Sequence, residues 1–213
     1  MAKFKIAVAA LVLAAANTAQ ADFIGATASV DYWQYDTDQS GFQLDDDQTV
    51  AFSVSIEHPI PVLPNAKIKY ANLNSDNLAN GQNLDLDYAD FILYYELLDN
   101  VVAVDVGAGV KSLEGDLAGQ KDLSETLPMI YAQAGVKLPF TGLSATAEAN
   151  YAKSSDYDVT DAEANIKYNF IDNLLVDVAV KGGYRILKIE NDQKAMPQEL
   201  EFKGPYLGVE VHF

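Results

Sequence analysis

The chain has no cysteine, which excludes disulfides, thiolate metal sites and thiol nucleophiles. Histidine is nearly absent as well, with only His58 and His212. That leaves little for acid–base work near neutral pH, and neither a Gly-x-Ser-x-Gly nor a His-Glu-x-x-His pattern occurs. Basic residues are scarce: 14 Lys and Arg stand against 31 Asp and Glu, a formal net charge of −17. So acidic a chain repels nucleic acid, whose binding rests on Lys and Arg meeting phosphates. Long hydrophobic runs are missing too. The longest, residues 6–16, is too short to cross a bilayer as a helix.

That one run has a reading of its own. Lys3 and Lys5 precede it, and Ala19-Gln20-Ala21 follows with the small-x-small pattern of a cleavage site. Residues 1–21 are therefore expected to be a secretory signal peptide, leaving residues 22–213 as one domain. Losing two lysines with the leader makes the remaining chain more acidic still.

What fills residues 22–213 is alternation. Ten segments place apolar residues at every second position: about 23–35, 49–58, 66–72, 84–97, 101–112, 126–138, 143–151, 161–170, 174–189 and a last one from near 200 to the end. Period-two patterning is the mark of strands with one apolar and one polar face. In the fourth segment Leu84, Leu86 and Tyr88 fall on the wrong parity, so a bulge near Tyr88, or a rise of that part above the membrane, is expected. Connections alternate long (36–48, 73–83, 113–125, 152–160, 190–199) and short (59–65, 98–100, 139–142, 171–173). Aromatics gather at segment ends: Tyr32, Trp33, Tyr35, Tyr151 and Tyr184 beside long connections, and Phe140, Phe170 and Phe213 beside short ones. An even number of strands, long loops on one side, short turns on the other and aromatic girdles are the features of a membrane barrel. The expected fold is all-β: a transmembrane antiparallel up-and-down β-barrel of ten strands, with eight as the alternative.

The last ten residues carry a family resemblance. Leu207, Val209, Val211 and Phe213 alternate with Gly208, Glu210 and His212, and the chain ends on the aromatic. This resembles the terminal strand of Gram-negative outer-membrane β-barrel proteins, where such a strand is the assembly signal. With the leader and the Leu-Asp-Asn and Ile-Asp-Asn turns, the chain resembles a small, uncharacterised family of such barrels. The resemblance implies a place in the cell outer membrane, contact with its lipid and lipopolysaccharide, and passage through periplasmic chaperones and the outer-membrane assembly machinery. It implies no nucleic acid and leaves the oligomeric state open.

The polar parity holds the chemistry. Asp31, Glu57, Asp90, Glu96, Asp105, Lys111, Lys137, Glu148, Glu163, Lys167, Asp177, Lys181, Arg185 and Glu210, together with Lys67 and Lys69, are expected to share the lumen. Unpaired charge in a confined space is costly, so one reading is a pairing network that plugs a narrow barrel. The other is a narrow, weakly cation-selective channel for small solutes. The barrels that hold an open channel are wider, which favours the plug. Both histidines are expected near the short turns. No catalytic residue, cofactor or metal is expected; Asp45, Asp46, Asp47, Asp116, Asp156, Asp158, Asp161 and Asp192 read as solvated loop acids without the spacing of a calcium loop. The expected role is structural or one of surface interaction rather than enzymatic.

Overall fold

The computed structural model describes residues 25–40, 42–60, 62–75, 84–117, 120–173, 176–191 and 198–213. The leader expected at 1–21, and Asp192, lie outside them. Ten strands run in chain order: β1 (Gly25–Gln39), β2 (Phe42–Glu57), β3 (Asn65–Ser75), β4 (Leu84–Asp99), β5 (Val102–Leu117), β6 (Gln120–Lys137), β7 (Leu143–Lys153), β8 (Tyr157–Asp172), β9 (Asp177–Asn191) and β10 (Gln198–His212). Every neighbour pairs antiparallel, and β1 pairs with β10 to close the barrel. Closure pairs the first strand with the last, so neither is left as the free edge of an open sheet. The terminal strand supplies the seam: Phe213 and Ala26 exchange backbone hydrogen bonds at 2.9 and 3.2 Å.

The strands outrun their expected lengths mainly on the side of the long connections. β1 and β2 leave just residues 40–41 between them, and β7 and β8 leave 154–156. Much of what read as long loop at 36–48, 113–125, 152–160 and 190–199 is therefore strand. Asp46 and Asp47 lie in β2, Asp116 in β5, and Asp158 and Asp161 in β8. The sequence reading stopped each strand where apolar residues left the outward parity. The backbone ladder does not stop there.

No bulge occurs near Tyr88. β4 and β5 keep register from Asp85↔Asp116 through Tyr88↔Leu113 to Glu96↔Asp105, and shift only between Glu96 and Leu98. Leu84, Leu86 and Tyr88 point inward with Asp90, Ile92 and Tyr94. Asp85 and Asp87 take the outward positions. The same inversion recurs on β1, where Val30 and Tyr32 face out but Trp33 and Tyr35 are buried inside, correcting the expectation that those two belong to a girdle. The inversion is what a barrel in a membrane would require, its outward face apolar against lipid and polar against water.

Two tiers result. At the short-turn end the outside is an apolar belt that includes Leu93, Val106, Ile166, Val180, Leu207 and Val209, all well exposed. At the long-loop end the inside is an apolar core that includes Trp33, Tyr35, Leu73, Leu86, Leu113, Leu127, Leu187 and Phe202. Tyrosines mark the boundary on the outside. Tyr32 donates to Gln48 at 2.6 Å, Tyr70 to Asp87 at 2.5 Å and Tyr151 to Asp158 at 3.0 Å. Each ring lies against the belt while its hydroxyl reaches a polar group above, the arrangement of an interfacial aromatic.

Candidate functional site

The inward parity of the lower tier gathers the charges. Lys67 and Lys69 on β3, Asp90 on β4, Lys111 on β5, Glu148 on β7, Asp161 and Glu163 on β8 and Arg185 on β9 form one connected set. Arg185 grips Asp161 with two nitrogens, Nε at 2.9 Å and Nη2 at 2.6 Å. Such a bidentate pair is the strongest geometry for these groups. Lys111 lies 2.6 Å from Asp90 and 3.8 Å from Asp161. Glu148 receives Lys67 at 2.7 Å and Lys69 at 2.5 Å, and also accepts from the Tyr131 hydroxyl at 3.2 Å. A smaller set joins Lys181 to Asp31 at 3.0 Å and to Glu210 at 3.9 Å, with Lys167 on Glu210 at 2.5 Å.

The tally of signs is even. The first set holds four cations and four anions, the second two and two. These groups are deep: Lys111 is 0% exposed, Asp90 and Asp161 1% and Arg185 3%. Charge so far from water is tolerable only when paired and hydrogen-bonded, and this set meets that condition. Backbone packing shapes it as well. A Cβ on Gly208 would meet Asp31 Oδ1 at 1.8 Å, so the close approach that lets Asp31 reach Lys181 requires glycine.

The apolar core sits directly on the network. The Arg185 guanidinium lies 5.0 Å from the Trp33 ring centroid and 5.3 Å from that of Tyr88, and Lys111 Nζ lies 4.8 Å from the Tyr88 ring. Cation–π contact thus joins the two layers. Above, Tyr35 meets Trp33 at 5.0 Å and Phe202 edge-on at 5.6 Å. Its hydroxyl reaches across to the Asn74 carbonyl at 2.8 Å.

Below the network the lumen opens into a cavity of about 540 Å³ lined by residues of the short-turn end, among them Glu57, Glu96, Asp99, Asp105, Lys137, Asp177 and His212. These behave differently from the set above. Glu57 accepts from Tyr94 at 3.1 Å, Asp105 from Gln133 at 2.8 Å and Asp177 from the Asn173 backbone N–H at 3.2 Å. Lys137 is two-thirds exposed and pairs with the equally open Asp99, at 3.6 Å. So of the charges expected to share one network, Glu57, Glu96, Asp105, Lys137 and Asp177 stand apart from it. His212 shares a 2.9 Å hydrogen bond with Thr27, and His58 sits in the β2–β3 turn against the Pro64 carbonyl. Among the described residues no group of three or more His, Asp or Glu side chains is placed to hold a metal ion.

Asp161 corrects the sequence reading most. The sequence reads it as a loop acid, yet it touches Arg185, Lys69 and Lys111. The signal was present: Asp161 shares its parity with Glu163, Asn165 and Lys167. Tyr88, read as out of phase, is the ring on which two of the cations rest.

No protein-family model matches the sequence, and no curated protein matches it. Among solved structures, the chain is similar to Ail of Yersinia pestis, solved with the heparin analogue sucrose octasulfate. Identity is 13%, over 90% of this chain and 99% of that one, with a TM-score of 0.40. A Pseudomonas aeruginosa FadL homologue gives 8%, 93% and 92%, with a TM-score of 0.41. A loop-deletion form of OmpT, an outer membrane protein of Vibrio cholerae, gives 8%, 90% and 99%, with a TM-score of 0.30.

Proposed function

We propose that this chain is an integral outer-membrane β-barrel that does not conduct, and that it serves a structural or surface-interaction role. One observation carries the reading: a sign-balanced layer of buried ion pairs spans the lumen, with a packed apolar core on top of it. An ion entering from the short turns would have to break paired charges and then cross hydrocarbon, two costs with no compensating partner. The apolar exterior belt and tyrosine boundary support the membrane placement. Lipid and lipopolysaccharide would be its neighbours there, and the alternating terminal strand would engage the assembly machinery after periplasmic chaperones deliver the chain. In that setting the water-facing strand extensions beyond the tyrosines are its working surface. No catalysis is assigned to it.

The test is conductance of the refolded barrel in a planar bilayer, with closure of the sample checked by heat-modifiable migration on a gel. A folded, silent barrel is the expected result. Steady cation-preferring steps would instead favour a narrow channel.

A further inference from the structure

The β2–β3 connection is apolar throughout. Residues 59–64 read Pro-Ile-Pro-Val-Leu-Pro, without one charged or polar side chain. A turn that faces water is ordinarily polar. Here Ile60 is 57% exposed, Val62 84% and Leu63 54%. Exposed apolar residues gathered in this way mark a surface that something covers. The backbone of the turn asks little of water. Its three prolines carry no N–H. The Ile60 N–H donates to His58 Nδ1 at 3.2 Å, and the Leu63 N–H to the Ile60 carbonyl at 3.2 Å. His58 Nε2 lies 3.2 Å from the Pro64 carbonyl, so with its proton on Nε2 one ring braces both ends of the turn. The Val62 carbonyl accepts from the Tyr95 hydroxyl at 3.0 Å.

Tyr95 also fixes where the turn lies. It stands on the outward parity of β4, two residues beyond Leu93 of the apolar belt. The bond to Val62 therefore holds the turn against the outer wall, in line with the belt, while the charged Lys137 and Asp99 of the same end line the mouth. Absence of charge and internally satisfied backbone groups are what a segment needs to enter hydrocarbon. Lipid fits better than a docked protein, because the other three short connections share the feature. Leu98 and Phe170 are just over half exposed and Phe140 fully so, and these connections are spread around the closed barrel. A protein would cover one side, whereas a lipid layer covers the whole circumference. Phe140 is held there at φ 65°, a costly conformation for a bulky residue whose ring lies outside the protein. We infer that the β2–β3 turn is a lipid-embedded lip. Ile60, Val62 and Leu63 enter the acyl layer of the phospholipid leaflet at the short-turn end, with the turn braced by His58 and pinned to the wall by Tyr95.

The inference rests on the membrane reading of the barrel, and one experiment separates the two failures. Because the chain has no cysteine, Val62→Cys takes a single nitroxide spin label. The barrel is refolded into phosphatidylcholine nanodiscs, which are open to solution on both faces. Relaxation of the label by oxygen, which concentrates in lipid, is compared with relaxation by a water-soluble nickel chelate. Ile166→Cys in the belt and Glu114→Cys above the tyrosines supply the lipid and water references. Each variant is first shown to be a closed barrel by gel migration. The label at position 62 should respond to oxygen over nickel, as at 166, with the order reversed at 114. Adding Tyr95→Phe should raise nickel access at 62, and unchanged access would overturn the part given to Tyr95. Nickel dominance at 62 with oxygen dominance at 166 overturns the lip and leaves the membrane reading standing. Poor access of both agents at 62 also overturns the lip, since the turn would then be packed on protein. Nickel dominance at 166 overturns the membrane reading and the lip together.

Discussion

The two tiers of this barrel are built from the same strands by opposite rules. In the lower tier Val180 and Ile166 face outward and Arg185 and Glu163 face inward. A few residues further along the same strands, Lys188 and Asp158 face outward while Leu187 and Val159 fill the inside. The lower tier is arranged as a membrane barrel is, apolar outside and charged within, and the upper tier is arranged like a soluble protein. Backbone pairing is indifferent to the change. What the comparison teaches is that side-chain parity reports the medium on each side of a sheet, and not the direction of a core.

The largest effects should come from breaking each interior in its own terms. Arg185→Ala would strand Asp161 in the lower tier, and Phe202→Ala would leave a void in the upper one. Each should lower stability to denaturant by about 3–5 kcal/mol. Neither variant should conduct in a planar bilayer, since the apolar core still closes the lumen above Arg185→Ala and the paired charges still close it below Phe202→Ala. A loss near 1 kcal/mol for Arg185→Ala would mean that water reaches the network.

A smaller contrast concerns the outside. Ile166→Lys puts a charge on the lipid belt and should cost about 2–4 kcal/mol, whereas Glu114→Lys, on the same outward parity above the tyrosines, should change stability by about 1 kcal/mol or less. Equal costs would erase the distinction between tiers. Glu114 in fact stands opposite Asp87, as Asp36 stands opposite Asp46, so acids face acids across neighbouring strands here.

The smallest effects are in titration. The hydrogen bond that a protonated Asp46 donates to Asp36, and then the Asp36 charge, hold the Asp46 carboxyl above its usual range, while the Lys153 hydrogen bond holds Asp158 below its own. The signs oppose. A raised folded pKa favours the fold in acid, and that gain fades as pH rises through it. A depressed one favours the fold above the ordinary carboxylate range, and that gain is lost as pH falls through the folded value. Carboxyl NMR titration should find Asp46 late and Asp158 early, with little net change in stability from these two together.

Much of this was legible in the sequence. Ten alternating segments became ten strands, because alternation is the direct imprint of a two-faced sheet. The lower-tier charges were legible for the same reason: Arg185 sits between Tyr184 and Ile186, and Asp90 between Ala89 and Phe91, apolar residues of the outward parity. The upper tier was not, since assuming apolar residues always face outward turned Leu84, Leu86 and Tyr88 into an anomaly and ended other strands early. Asp161 was lost at that edge, being the first inward charge below the inversion. Pairing partners were beyond reach, because which lysine meets which acid across a lumen depends on the stagger of strands around the closed sheet.

The sign balance has a consequence for how the chain reaches its final form. Lys181 on β9 finds Asp31 only because β1 comes round to β10, and Asp161 on β8 collects Lys69 from β3 and Lys111 from β5. Until the first and last strands meet, several of these groups would be held inside a half-formed wall without a counter-charge. A partial barrel is therefore not a resting place on the way to the complete one. The network ties closure to charge pairing, and the final seam between Ala26 and Phe213 completes the lumen as well as the wall.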